Sequence, residues 1–410
     1  MPWRFTPLTV ALALALLAGA CSSESSDSSS TSLADELVAP GTACDETAAV
    51  GEEGETVAEI VESVASEAGL SSVLYQVTRG DELIAADAVG ESQAGVDADQ
   101  SMRFRTGNVA FAWMGTLLLL FDEHGDASLD DPVSEWLPDL DVPNADEVTL
   151  KMLAQSTSGY PDYVPDAAFN DDFYADPFRQ WKPSELLDVA FAQEPFYEPG
   201  TAWNYAHTNY VILGAALAEI GGKPLDELLT EMVTQPMGLD ATAAALTPAL
   251  PVPALHTYSS ERSVWEETTF WNPSWQTAPG SVFSTDICDL AASAVAVGTG
   301  TLLSDEAYAS MVAPDTVELG AAPDTCPEGA CRQNTESVFY GLGVISISDW
   351  IVQTPLFGGM GAVHAYLPEA DLAVAIVTVA GQASEVDENY AMGIWKSIAE
   401  ELTPEHVPPG

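Results

Sequence analysis

Positive charge is what this 410-residue chain has least of: Lys and Arg together number 11 against 63 Asp and Glu, a formal charge of -52 at pH 7. That balance excludes a general affinity for nucleic acid or anionic lipid headgroups, because a polyanion meets repulsion over most of the surface. The acidity reads as a solvated surface that keeps the protein soluble, as adaptation to high salt, or as a surface selective for cationic partners. Cysteine is scarce as well, 5 in all, and no Cys/His group has zinc-site spacing. No metal and no other cofactor is expected. The apolar run over residues 8–18, after Arg4, is too short to cross a bilayer, which takes about 20 residues, and reads as an export signal.

What the chain does have is an uncharged block over residues 109–121, apolar on every face of a 3.6-residue period. Such a block predicts a helix buried on all sides, the axis of a core. Asn108, just after Gly107, stands where its side-chain oxygen can cap that helix. Residues 22–54 are Ser-rich and then acidic, too poor in apolar residues to pack, and read as a flexible spacer. A helix over residues 56–68 opens the folded part. Val73, Tyr75 and Val77 alternate on one face of a strand, Arg79-Gly80-Asp81 makes a turn, and residues 83–89 answer as its hairpin partner.

Further helices are expected over residues 209–220, 224–233 and 383–402, with Ser284 and Thr285 capping another that runs to Val297. Strands are expected over residues 340–347, 350–356, 360–367 and 372–379. Two strands from the start and these from the end imply an α/β (α+β) fold: an antiparallel sheet completed by both chain ends, flanked by helices, with a helical subdomain inserted between. Cys326 and Cys331 flank Pro327 and Gly329 closely enough for a local disulfide. Cys44 and Cys288 have the option of pairing, although sequence leaves three connectivities open. The aromatic stretch over residues 160–197, with Tyr160, Tyr163, Phe169, Phe173, Tyr174, Phe178 and Trp181, reads as a loop packed on itself or as the lining of a binding surface.

Phe104-Arg105-Thr106-Gly107, the buried block, and Leu129-Asp130-Asp131-Pro132-Val133 resemble the serine beta-lactamase and penicillin-binding-protein-like esterase family, in which Phe-Arg-x-Gly-Ser-x-x-Lys opens a buried helix. Pro199-Gly200 with Tyr205, Pro236-Met237-Gly238-Leu239, and residues 278–290 resemble further segments, so the likeness covers about residues 55–402. It implies a beta-lactamase/transpeptidase-like fold. The catalytic positions differ. Asn108 stands in the place of the family's nucleophilic serine and Phe111 in that of its lysine. His207 replaces an asparagine two residues after the matching Tyr205, Ser156 replaces a histidine, and Phe357-Gly358-Gly359 stands where a His or Lys is followed by one residue and a Gly. Realignment does not recover the motif, since Val148, Arg179, Ile220 and Gly393 precede the lysines Lys151, Lys182, Lys223 and Lys396 by three residues. No Gly-x-Ser-x-Gly elbow is present either.

Leu17-Ala18-Gly19-Ala20-Cys21 resembles a bacterial lipobox, which implies cleavage before Cys21 and lipidation of its thiol. The organisation expected is therefore a signal peptide over 1–20, Cys21 and a linker over 21–54, the domain over 55–402 and a tail over 403–410. The chain would be anchored to the outer face of the cell membrane. The leading functional expectation is a catalytically retired member whose old cleft, made apolar by Phe111 and Phe357 and bordered by Asn108, Tyr205, His207 and Gly359, takes an apolar small molecule or a cell-envelope partner. The alternatives are a serine hydrolase with a rebuilt site, drawing on His207, His364, Ser156 or Ser281, and a structural lipoprotein with no pocket function.

Overall fold

A computed structural model describes residues 44, 47–245, 247–321, 323–385 and 387–409. The expected export signal, Cys21 and most of the expected spacer lie outside the described residues. Among those described, no helix is long and apolar enough to cross a membrane.

Val, Ile and Ala dominate Leu372–Val379, which is buried on both faces and lies at the middle of a 10-stranded antiparallel sheet. It pairs on one side with Ser72–Arg79, Leu372 opposite Arg79 and Val379 opposite Ser72, and on the other with Met360–Leu367. The sheet runs on through Glu82–Gln93 to Ala48–Ala49 at one edge. At the other it runs through Trp350–Gln353 and Ile345–Ile347 to Val338–Tyr340. Both chain ends thus complete it, as expected.

Alternation sorts the side chains into two layers. Val73, Tyr75, Val77, Val374 and Ile376 pack under Val57 and Val61 of helix Gly51–Ala68 and under Ile394, Trp395 and Ile398 of helix Tyr390–Leu402. Leu74, Ala375 and Val377 point the other way, into the larger cluster around helix Val109–His124. Small residues let helix Ile287–Thr299 lie close on that face: Ala294 packs with Ala373 and Tyr366, and a Cβ on Gly298 would stand 2.3 Å from the Tyr366 ring. Burying each Val, Leu or Ile here contributes roughly 1.5–3 kcal/mol.

Several boundaries differ from expectation. Glu52 and Glu53, placed in the spacer by composition, form the first turn of a helix that starts at Gly51, where carboxylates favour the N-terminal end of the dipole. Cys44 is tied to Cys288, and Cys326 to Cys331, with Cα separations of 5.6 and 6.1 Å. The expected strand over 340–347 is broken into two. At Gly343 (φ 79°) a Cβ would meet the Phe111 carbonyl at 2.2 Å, so the turn 341–344 is pressed against the buried helix and leaves the ladder.

Ser284 and Thr285 do not cap helix Ile287–Thr299. They lie in strand Phe283–Thr285, and the Asp286 carboxylate accepts from the Asp289 N–H instead. Within the expected tail, His406 and Val407 are tied to the sheet's edge region: Trp350 Nε1 donates to the His406 carbonyl at 2.8 Å and Ser348 Oγ to that of Val407 at 3.0 Å.

Candidate functional site

Three chain segments meet at the start of the buried helix. Gly107 brings the first; its φ of 54° and the nearness of Phe357 and Pro355, 2.7 and 2.8 Å from where a Cβ would sit, leave room for no side chain. Asn108 follows with φ -73° and ψ 0°, outside the extended region that turns a capping side chain back on its helix, and it makes no cap. Its amide turns to Tyr205, Nδ2 donating to that hydroxyl at 3.2 Å. Asn108 Oδ1 is buried and has no partner.

The second segment leads into helix His207–Gly221 and supplies Tyr205 and His207. Burial pushes the Tyr205 phenol well above its ordinary range; Tyr340 and Asp162 add to the effect, and the bond from Asn108 works against it. No ammonium or guanidinium is among the groups that shift it. Tyr205 is therefore a neutral hydrogen-bonding phenol at neutral pH. The third segment carries Asp162, which fixes His207 twice: Oδ1 accepts from the His207 backbone N–H at 3.1 Å and Oδ2 lies 3.0 Å from Nδ1.

Around these residues opens a cleft of about 1180 Å³ lined by Asn108, Asp162, Trp203, Tyr205, His207, Tyr340 and Phe357. Its rim includes Pro327, Glu328, Gly329 and Ala330 of the loop closed by Cys326 and Cys331, with Arg332 just beyond. Among the described residues no Ser, Cys or Lys lines the cleft. Its one aliphatic hydroxyl, Thr354, makes no hydrogen bond to a histidine.

Two of the expected site residues are elsewhere. Phe111 is 1% exposed and lies beneath the cleft floor, its ring parallel to Tyr210 with centroids 3.6 Å apart. It packs rather than lines, so the cleft is not made apolar by it; Asp162, Asp166, Glu328 and Arg332 give the walls a mixed character. Gly359 faces away from the cleft, against the Tyr258 backbone, whose carbonyl oxygen would stand 1.8 Å from a Cβ. Asn108, Tyr205, His207 and Phe357 are brought together.

The hydroxyls and the second histidine proposed for a rebuilt site do not reach it. Ser156 and Ser281 are fully buried; Ser281 Oγ donates to the Ala278 carbonyl at 2.8 Å, and Ser156 Oγ has no partner. His364 does meet a serine, with Nε2 3.0 Å from Ser293 Oγ, but both are enclosed between the sheet and helix Ile287–Thr299. Trp113 Nε1 donates to the same Ser293 oxygen at 2.9 Å.

Asp162, Tyr340 and the disulfide rim were missed from sequence. Asp162 follows Ser156, which stands in the place of a family histidine, by six residues, but nothing in its spacing announces a bond to a histidine 45 residues on. The one cluster of metal-ligand type among the described residues, Cys44, Asp286 and Cys288, has both sulfurs joined in a disulfide and offers no thiolate.

The family model described as Beta-lactamase matches residues 54–394. The D-alanyl-D-alanine-carboxypeptidase/endopeptidase AmpH of Escherichia coli (strain K12) is 31% identical over 137 residues, 32% of this chain and 34% of that protein. Matches to the curated relatives thus span about a third of those proteins' own length. A solved D-stereospecific amidohydrolase from Streptomyces sp. superposes with a TM-score of 0.70 at 24% identity, covering 85% of this chain and 98% of that one. A D-amino acid amidase from Ochrobactrum anthropi SV3 superposes with a TM-score of 0.69 at 19% identity, covering 85% and 97%. These two likenesses concern the fold.

Proposed function

The chain belongs to the Beta-lactamase family, and from that premise we propose that it is a non-catalytic member whose cleft binds a ligand or envelope partner without cleaving it. The observation that carries this reading is the Asn108 amide, hydrogen-bonded to the Tyr205 phenol at the start of the buried helix, in a cleft whose described lining offers no Ser, Cys or Lys. Acyl transfer needs a nucleophile, a base beside it and donors for the oxyanion. An amide supplies no nucleophile and Phe111 no base. Loss of the nucleophile alone costs about a millionfold in turnover.

The mixed walls, with aromatic Trp203, Tyr205 and Phe357 beside Asp162, Glu328 and Arg332, suit a ligand with both ring and charged or amide groups. The relatives' names speak of penicillin binding, D-alanyl-D-alanine and D-amino acid amides, and a ligand of that amide class is proposed here. The protein is placed at the outer face of the cell membrane, held by a lipid on Cys21. Cys21→Ser should release it to the medium; retention of that variant at the membrane would refute the anchor.

One observation favours a working hydrolase instead. Asp162 orients His207 in the cleft, as a carboxylate orients an imidazole that takes a proton from water. A chromogenic beta-lactam, a D-amino acid anilide and a nitrophenyl ester separate the two readings. No turnover above that of His207→Gln is expected; turnover by the parent that vanishes in His207→Gln would establish the hydrolase.

A further inference from the structure

Beside the cleft, and sharing Trp275, Gln276, Leu356 and Phe357 with it, is a smaller cavity of about 210 Å³. A cavity of about 150 Å³ accommodates benzene, so this one has room for a ring and a short polar group. Its walls are mainly apolar and aromatic, from Leu255, Phe169, Phe173, Trp271 and Trp275. Into that setting comes Arg105, the one buried Arg or Lys among the described residues, at 6% exposure.

The Arg105 guanidinium is under-used. Nη2 donates to the carbonyls of Pro248 and Thr269, Nη1 has no partner, and no described carboxylate lies within ion-pair distance. Burial alone pushes its pKa down, to about 10, so it stays charged at neutral pH. Glu261 and Asp387 also line the cavity, but Glu261 accepts from the Tyr174 hydroxyl at 3.3 Å and is not among the groups that act on Arg105. A buried cation with an idle donor and no carboxylate bonded to it is costly and has room for an anion, although Glu261 and Asp387 oppose one from the same walls. A planar guanidinium matches a carboxylate with two parallel N–H donors.

We propose that this cavity is a second binding site, adjoining the cleft and sharing a wall with it, for small aromatic or aliphatic carboxylic acids held through Arg105. The site does not depend on whether the cleft is catalytic. The test uses phenylacetate and its uncharged analogue phenylacetamide on the native protein, read by quenching of tryptophan fluorescence, since Trp271 and Trp275 are in the walls. Phenylacetate should bind saturably and at least about tenfold more tightly than the amide. Arg105→Met should weaken phenylacetate about ten- to a hundredfold, as expected for loss of a charge-assisted hydrogen bond, and leave the amide unaffected.

Leu250→Trp, at a half-buried wall position, should fill the cavity and block both. If Arg105→Met does not fold, the contrast between acid and amide and the effect of Leu250→Trp decide the matter. Equal affinity for acid and amide, binding of neither, or phenylacetate binding that survives both substitutions would overturn the proposal.

Discussion

Helix Val109–His124 touches two polar sites, and they are opposites. On its sheet side Trp113, Ser293 and His364 form a chain of hydrogen bonds, a serine hydroxyl 3.0 Å from an imidazole, sealed from solvent. At its start Asn108 and Tyr205 face an open cleft, with Phe111 stacked on Tyr210 below. The serine and imidazole that meet are sealed from solvent, whereas the open cleft holds an amide and a neutral phenol beside a histidine held by Asp162. Residue types near each other in a fold therefore do not make a site; access and charge state decide.

The largest expected effect breaks the packing below the cleft. Phe111→Lys removes a stacked ring and leaves an ammonium among the rings of Tyr205, His207 and Tyr210. It should cost about 3–5 kcal/mol in a denaturant titration, from the lost ring and an unpaired buried charge. An unchanged midpoint would mean that the floor accepts a cation and is not specialised for packing.

The second effect concerns the sealed pair. Burial lowers the His364 pKa to about 4 from 6.5. The folded state binds fewer protons there than the unfolded chain, so this stability is present above pH 6.5 and is lost as pH falls towards 4. The shift corresponds to on the order of 3 kcal/mol. Asp289, pushed up to about 6 by burial and by Asp286, acts in the opposite direction, so the parent has to be compared with a variant that differs only at His364. His364→Gln should be less sensitive to acid than the parent between pH 6.5 and 4. Parallel curves would show that the imidazole is already free to protonate when folded.

The smallest expected effect is at the start of the helix. Asn108→Ser loses the bond to Tyr205, about 1 kcal/mol, but also removes the unpartnered Oδ1, which costs about as much. A change within about 1 kcal/mol is expected by chemical denaturation. A loss of several kcal/mol would show that the Asn108 amide supports the fold by more than its bond to Tyr205, since serine caps a helix about as well as asparagine.

The central sheet was legible because Val73, Tyr75 and Val77 alternate and residues 360–367 and 372–379 are apolar apart from His364 and Thr378, both local signals. The buried helix was legible for the same reason. The start of that helix was misread at Asn108: a good capping residue was given a capping role, whereas the backbone after Gly107 turns its amide towards Tyr205. The break at 341–344 depends on contact with the Phe111 carbonyl, and the depth of Phe111 on Tyr210, both set by tertiary packing rather than local pattern. Asp162 was invisible because its role depends on a distant His207. Motif comparison located the cleft, but only geometry separated its lining from its floor.

The most direct measurement is intact mass of the purified protein after incubation with a labelled penicillin and, separately, a serine-reactive phosphonate. An unmodified mass is expected with both reagents, beside a relative with an intact Ser-x-x-Lys that is fully labelled. A covalent adduct on this chain that disappears when a residue lining the cleft is substituted would contradict the non-catalytic reading.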